Sequence, residues 1–310
     1  MITDAPQGQN DAEKSLGNYC QSSQGIDIIV LSFLSSYGGG KTPSGNFGDC
    51  TIDSNGNGQD CSSLAADIRT CQSAGKKVFI SIGGGGASGF VTSQADAEGV
   101  AFTLWNSYAN PSATSGAPRP FGDVFVNGWD LDIESNPNGQ NTNYKYLVNK
   151  LRSFFPSDSS NTYYISGAPQ CPLPEVNMGD AIDNSKFDYL FIQFYNNDFC
   201  SAYQFVRPDG GKGDGFNFDV WETYVSAHAS AGAKLLIGLP ASTKASTGGD
   251  DGAKYFLSSS ELTSLVDSFT THTGFAGVML WDAGNSDLDI NDGCEYDQEV
   301  RSVLDKGQSC

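Results

Sequence analysis

The chain's 310 residues can bury one large core, and its apolar segments are spread evenly, with no linker and no low-complexity tract. With Lys+Arg 17 against Asp+Glu 36, the net charge of −19 repels phosphate backbones and anionic lipid, which excludes nucleic acid and membrane surfaces as partners. The eight cysteines and the two histidines, His228 and His272, show no metal-ligand spacing, so disulfides in an oxidising compartment are expected, with no metal and no cofactor.

No apolar run approaches the length of a membrane span. No signal peptide is visible, so Met1 is expected to begin a mature or recombinant form of a secreted chain. There is no Asn-x-Ser/Thr sequon, and N-glycans are not expected.

In chain order, a first strand is expected before Gln9, then a helix over residues 12–22 and a buried strand over 26–34. A helix over 61–74 leads to a strand at 76–82, and a helix over 95–108 leads to a strand at 123–134. A helix over 142–155 follows, then strands at 162–167 and 187–195. The remaining units are a helix over 218–231, a strand at 233–239, a helix over 260–271 and a last strand at 274–281. Ser258 and Glu261 are spaced as a capping box for that last helix. Eight β/α units within one domain, residues 1–310, predict an α/β fold of the (β/α)8 TIM-barrel kind rather than an open doubly wound sheet.

The run Asn127-Gly128-Trp129-Asp130-Leu131-Asp132-Ile133-Glu134 puts three carboxylates at every second position, on one face of a strand. Three like charges that close cannot all ionise cheaply, so at least one pKa should rise and leave a carboxylic acid near neutral pH. A solvated acidic strand end is the bland alternative, but the intervening Trp129, Leu131 and Ile133 are too apolar for it. Other strand ends carry Ser32-Phe33, Ser81-Ile82-Gly83-Gly84, Gln193 with Tyr195, and Trp281 with Asp282. Barrel enzymes keep their chemistry at those ends, and this set describes a cleft for a polar ring compound.

Two motifs compete for attention. Gly84-Gly85-Gly86-Ala87-Ser88-Gly89 satisfies G-x-G-x-x-G after a strand, which would suit a dinucleotide-binding oxidoreductase, but glycine runs match that pattern easily. Gly83 and Gly84 are better explained by a backbone passing close to a sugar or to the catalytic strand. Asp53-Ser54-Asn55-Gly56-Asn57-Gly58 begins like a calcium loop, yet its twelfth position is Leu64 where Glu is needed, so a turn pinned by flanking cysteines is expected.

The chain resembles family 18 glycoside hydrolases of the hevamine-like branch of plant and fungal chitinases. The resemblance rests on Gly8-Gln9-Asn10, Leu31-Ser32-Phe33-Leu34, Ser81-Ile82-Gly83-Gly84-Gly85, Asp130 to Glu134, and Ala168-Pro169-Gln170-Cys171-Pro172. It continues through Ile192-Gln193-Phe194-Tyr195-Asn196-Asn197, Gly238-Leu239-Pro240 and Met279-Leu280-Trp281-Asp282. The resemblance implies hydrolysis of β-1,4 bonds in chitin or chitin oligosaccharides by a retaining mechanism in which the substrate's own acetamido oxygen attacks. Glu134 would be acid and base, Asp132 would stabilise the oxazolinium, Asp130 would share a proton with it, and Tyr195 would hold the acetamido oxygen. Gln193 would sit beside Tyr195, Trp281 would floor the sugar, and Phe33, Gly84, Met279 and Asn46 would line the cleft.

The same resemblance implies the disulfides Cys20–Cys71, Cys50–Cys61 and Cys171–Cys200, leaving Cys294–Cys310 as the remaining pair. It also implies non-proline cis peptides at Ser32–Phe33 and Trp281–Asp282. The protein is expected to be a monomer, secreted to the extracellular space or cell wall. An endo-β-N-acetylglucosaminidase acting on N-glycans would use the same residues, and a non-catalytic lectin-like barrel is the alternative from another class. Asn127 stands where the family usually has Asp, at a position expected nearer the barrel interior, which bears on the tuning of Asp130. The residues before Gly8 also depart from the apolar first strand of the family.

Overall fold

The computed structural model describes residues 2–3, 14–21, 23, 25–139, 141–207, 215–247, 249–291 and 293–310. The Gly8-Gln9-Asn10 motif lies outside them, as do residues 12, 13 and 22 of the first expected helix.

Eight parallel strands close into a barrel in sequential order. They are β1 (Ile2–Thr3), β2 (Ile28–Leu34), β3 (Lys77–Gly83), β4 (Gly128–Asp132), β5 (Tyr164–Gly167), β6 (Tyr189–Gln193), β7 (Lys234–Pro240) and β8 (Phe275–Trp281). Runs such as Ile28-Ile29-Val30-Leu31 and Val78-Phe79-Ile80 are buried throughout, as expected for parallel strands covered on both sides. The expected first strand exists but is short. Ile2 pairs with Leu280 of β8 and with Ile29 of β2, and Thr3 pairs with Val30, which completes the ring.

Helices cover the outside: α1 (Leu16–Tyr19), α2 (Ser62–Ser73), α3 (Gln94–Tyr108), α4 (Tyr144–Phe154), α5 (Gly179–Asn184), α6 (Tyr203–Val206), α7 (Phe218–Ser226), α8 (Ser259–Phe269), α9 (Ala283–Leu288) and α10 (Tyr296–Lys306). The predicted capping box at Ser258 and Glu261 opens α8. Helix α10 has no counterpart in the sequence reading. It buries Tyr296, Val300 and Val303 at helical spacing and ends on the left-handed Gly307, a pattern legible once looked for.

The second difference is a four-stranded antiparallel sheet between β2 and α2, formed by Ser36–Gly38, Lys41–Phe47, Cys50–Ile52 and Gly58–Gln59. Its strands are short and carry glycine and polar residues, so they lack the apolar runs that mark the barrel strands. The Cys50–Cys61 disulfide ties it to the start of α2. The pairs Cys20–Cys71, Cys171–Cys200 and Cys294–Cys310 are also bonded.

Candidate active site

Strand β4 builds the site by simple alternation. Trp129, Leu131 and Ile133 turn outward into the layer beneath the helices, where Trp129 packs against Trp105 (centroids 5.7 Å), Tyr163 and Phe155. Asp130 and Asp132 consequently point into the barrel. The register sets Ser81 of β3, Asp130 and Ser166 of β5 side by side. The Ser81 hydroxyl donates to Asp130 Oδ2 at 2.7 Å and the Ser166 hydroxyl to Oδ1 at 2.6 Å. Burial pushes the Asp130 carboxyl up to about 6, against the pull of those two hydroxyls.

Asp132 lies one step nearer the mouth and is 6% exposed. From across the barrel, Gln193 Nε2 donates to Asp132 Oδ1 at 3.0 Å, to the Ala168 carbonyl at 3.0 Å and to Glu134 Oε1 at 3.4 Å. Burial first, then the charges of Glu134 and Asp130, raise the Asp132 carboxyl well above the ordinary range. The anticipated rise therefore falls on Asp130 and Asp132, the two fully enclosed members of the run. Glu134 stands two residues beyond the strand, half-buried, on the cleft wall.

The cleft encloses about 640 Å³. It is lined by eight of the expected residues, Phe33, Asn46, Gly84, Asp132, Glu134, Gln193, Tyr195 and Trp281. Tyr195 is pushed well above its ordinary pKa by burial and by the charges of Asp132, Glu134 and Asp282, so it remains a neutral phenol able to donate. Phe33 and Trp281 stack with centroids 5.9 Å apart. The Ser32–Phe33 and Trp281–Asp282 peptides are cis, and Leu173–Pro174 is cis as well.

Two glycines make this close packing possible. A Cβ on Gly83, at φ +117°, would lie 1.9 Å from the Asp132 carbonyl oxygen, and one on Gly84, at φ +86°, would lie 2.8 Å from the Phe33 ring. The glycine run thus makes room for the acidic strand β4 and for Phe33. Helix α3 begins only at Gln94, five residues past Gly89, so the run does not open a helix as a dinucleotide fingerprint requires.

Two expectations need correction. Met279 does not line the cleft; it is 2% exposed and borders a small void beneath it, because its strand position faces the barrel interior a layer below Trp281. Asn127 is not near the barrel interior. It is half-buried at the entry to β4, where its Oδ1 accepts from the Val78 N–H at 2.9 Å and from Gln72 Nε2 at 3.1 Å, a junction role remote from the Asp130 carboxyl. The calcium-like segment is a turn: Asp53 Oδ1 accepts from the N–H groups of Asn55 and Asn57.

Several lining residues were not anticipated. Gln170, Asn196 and Asn197 belong to quoted motifs but had no assigned role, and Thr247 comes from a loop without any pattern. Asn196, at φ +60°, accepts from the Thr247 N–H and so ties two rim loops together. Sequence also gave no sign that His272 would meet Glu222, at 2.6 Å, and Asp219, at 3.4 Å, on the outer helical layer.

The profile of Glycosyl hydrolases family 18 matches residues 6–275. Endochitinase 2 of Metarhizium anisopliae is 46% identical over 310 residues, which cover 98% of this chain and 73% of that protein. Among solved structures, the ICChI chitinase from Ipomoea carnea superposes with a TM-score of 0.74 at 29% identity, covering 99% of this chain and 100% of that one. The xylanase and α-amylase inhibitor protein XAIP-II from Scadoxus multiflorus gives a TM-score of 0.73 at 26% identity, covering 98% and 97%. With the acidic run, the strand-end glycines and the stacked aromatic pair in place on a closed barrel, the chain belongs to glycoside hydrolase family 18.

Proposed function

We propose that the protein is a secreted endochitinase that cleaves β-1,4 bonds between N-acetylglucosamine units with retention, the substrate's acetamido oxygen acting as nucleophile. The observation that carries this reading is the Asp132–Gln193–Glu134 cluster at the foot of an open cleft beside Trp281. The 46% identity to an endochitinase supports the substrate, and four disulfides support an oxidising, extracellular setting.

Cleavage needs a proton on the leaving oxygen and relief for the positive charge that develops at the anomeric carbon. Glu134, on the solvent side of the cluster, gives the proton and later takes one from the incoming water. Asp132 cannot serve as an ordinary exposed nucleophile, since it is buried and already engaged by Gln193. It is suited instead to orient the acetamido N–H and to stabilise the oxazolinium once that charge forms. Asp130, two residues back, holds or releases a proton to match. Tyr195 donates to the acetamido oxygen, and the apolar face of the sugar rests on Trp281.

The test compares chitin oligomers with an N-glycopeptide. Release of shorter N-acetylglucosamine oligomers without glycan release is the expected result, and glycan release alone would move the assignment to an endo-β-N-acetylglucosaminidase. XAIP-II, a xylanase and α-amylase inhibitor, shares this fold, so binding of chitin oligomers without cleavage of either substrate would favour a lectin-like barrel.

A further inference from the structure

At the floor of the cleft lies a small void of about 20 Å³, bordered by Ser32 on β2, Asp130 and Asp132 on β4, Gln193 and Tyr195. Ser32 is fully buried, and its hydroxyl finds no hydrogen-bond partner among the described residues. Buried hydroxyls are seldom left unpaired, and each exception asks for an explanation. A void of roughly 10–15 Å³ or more admits one water, which also needs two to four polar partners. Here the orphan hydroxyl and two carboxyl groups border the same space. Asp130 still has acceptor capacity, because its two oxygens offer about four lone-pair sites and Ser81 and Ser166 occupy two.

We propose that a single water occupies this void, is held by Ser32 Oγ, and passes the proton between the carboxyl groups of Asp130 and Asp132. The proton leaves an Asp130 oxygen for the water oxygen while the water gives one of its own to an Asp132 oxygen. Only O–H bonds break and form, and the water is regenerated. The same steps reversed return the proton. Ser32 is thereby a positioning residue, and its role rests on the chitinase reading of the cleft.

The geometry favours an indirect route because the Asp130 oxygens are pinned sideways by hydroxyls from β3 and β5, while Asp132 is drawn toward the mouth by Gln193. The charged and titratable groups that face the pair are Glu134 on the same segment, Tyr195 after β6 and Tyr37 from the insertion sheet, with Asp282 after β8 acting on Tyr195. Burial raises both aspartates above the ordinary carboxylate range, which favours a proton held between them.

Two measurements decide. A crystal structure of the parent protein at water-resolving resolution should show one water within hydrogen-bond distance of Ser32 Oγ and of an Asp130 or Asp132 oxygen. Ser32→Ala should then lower kcat on a chitin oligomer by roughly tenfold with KM little changed, and move the acidic limb of the pH profile by about half a unit or more. A dry void, or Ser32 Oγ bonded to a protein atom, overturns the water. An active parent whose Ser32→Ala form keeps both kcat and pH profile overturns the relay and leaves the chitinase reading standing. A parent inactive on every chitin substrate overturns that reading and the relay together.

Discussion

Along β4 the inward side chains Asp130 and Asp132 meet two hydroxyls and an amide, whereas the outward Trp129 meets a wall of rings from Trp105, Phe155 and Tyr163. On the inner face nearly every polar atom is directed at a partner. On the outer face the indole N–H of Trp129 is buried with no partner among the described residues. A lost hydrogen bond of that kind costs about 1–3 kcal/mol, and the packing of a large aromatic outweighs it. One strand therefore holds a polar, hydrogen-bonded cluster and an apolar aromatic wall on opposite sides, separated by a single residue step. Substitutions on the two faces should fail in different ways.

The largest effect is expected from the acid at the end of the inner face. Glu134→Gln should lower kcat by roughly a thousandfold or more while thermal unfolding stays close to the parent, since general acid–base catalysis is worth about 10²–10⁴. Activity within about tenfold of the parent, some 1.4 kcal/mol of barrier, would reject Glu134 as the proton donor. The outer face should show the reverse. Trp129→Ala should cost about 3–5 kcal/mol in denaturant unfolding and leave kcat nearly unchanged wherever the protein is still folded.

A smaller effect separates the faces by pH. Asp130 has a folded pKa near 6, above the ordinary carboxylate value, so the folded state binds more protons than the unfolded one between those limits. The stability this group confers is complete below the unfolded pKa and declines as pH rises through about 6. Asp130→Asn should remove that decline, worth on the order of 1–3 kcal/mol, in unfolding curves measured from pH 4 to 8. An unchanged pH dependence would mean that the carboxyl titrates normally.

Tyr195→Phe should cost about tenfold in kcat, because it loses one hydrogen bond and leaves proton transfer intact. A loss as large as that of Glu134→Gln would make the phenol part of the proton path. The mildest change is Trp129→Phe, which keeps a ring and deletes the orphan N–H. It should stay within about 1.5 kcal/mol of the parent, and a loss near that of Trp129→Ala would show that the indole N–H has a partner after all.

The barrel was legible because its strands are apolar runs at regular intervals, and the acidic run was legible because period-two alternation places Asp130 and Asp132 without any knowledge of contacts. The register with Ser81 and Ser166 was not, since it depends on how three strands slide against one another. Met279 was misplaced for a related reason: alternation says that a residue faces inward, but not at which depth. Asn46 was a bare position in the sequence, and only the insertion sheet brings it to the cleft. That sheet escaped notice because its stability comes from a disulfide and from antiparallel pairing instead of an apolar pattern. Asn127 misled in the opposite direction, through a family pattern that extends past the site into a strand junction.

The amide of Gln193 carries two hydrogens and faces three acceptors. The Ala168 carbonyl cannot change its charge, so one hydrogen has a fixed claimant and the other is contested by Asp132 and Glu134. Whichever acid is ionised attracts it more strongly. The amide is therefore a built-in indicator of which carboxyl is charged at a given pH or stage of turnover. Side-chain amide nitrogen labelling at Gln193 would let magnetic resonance follow that contest directly, in a protein where the carboxyl groups themselves are hidden from most probes.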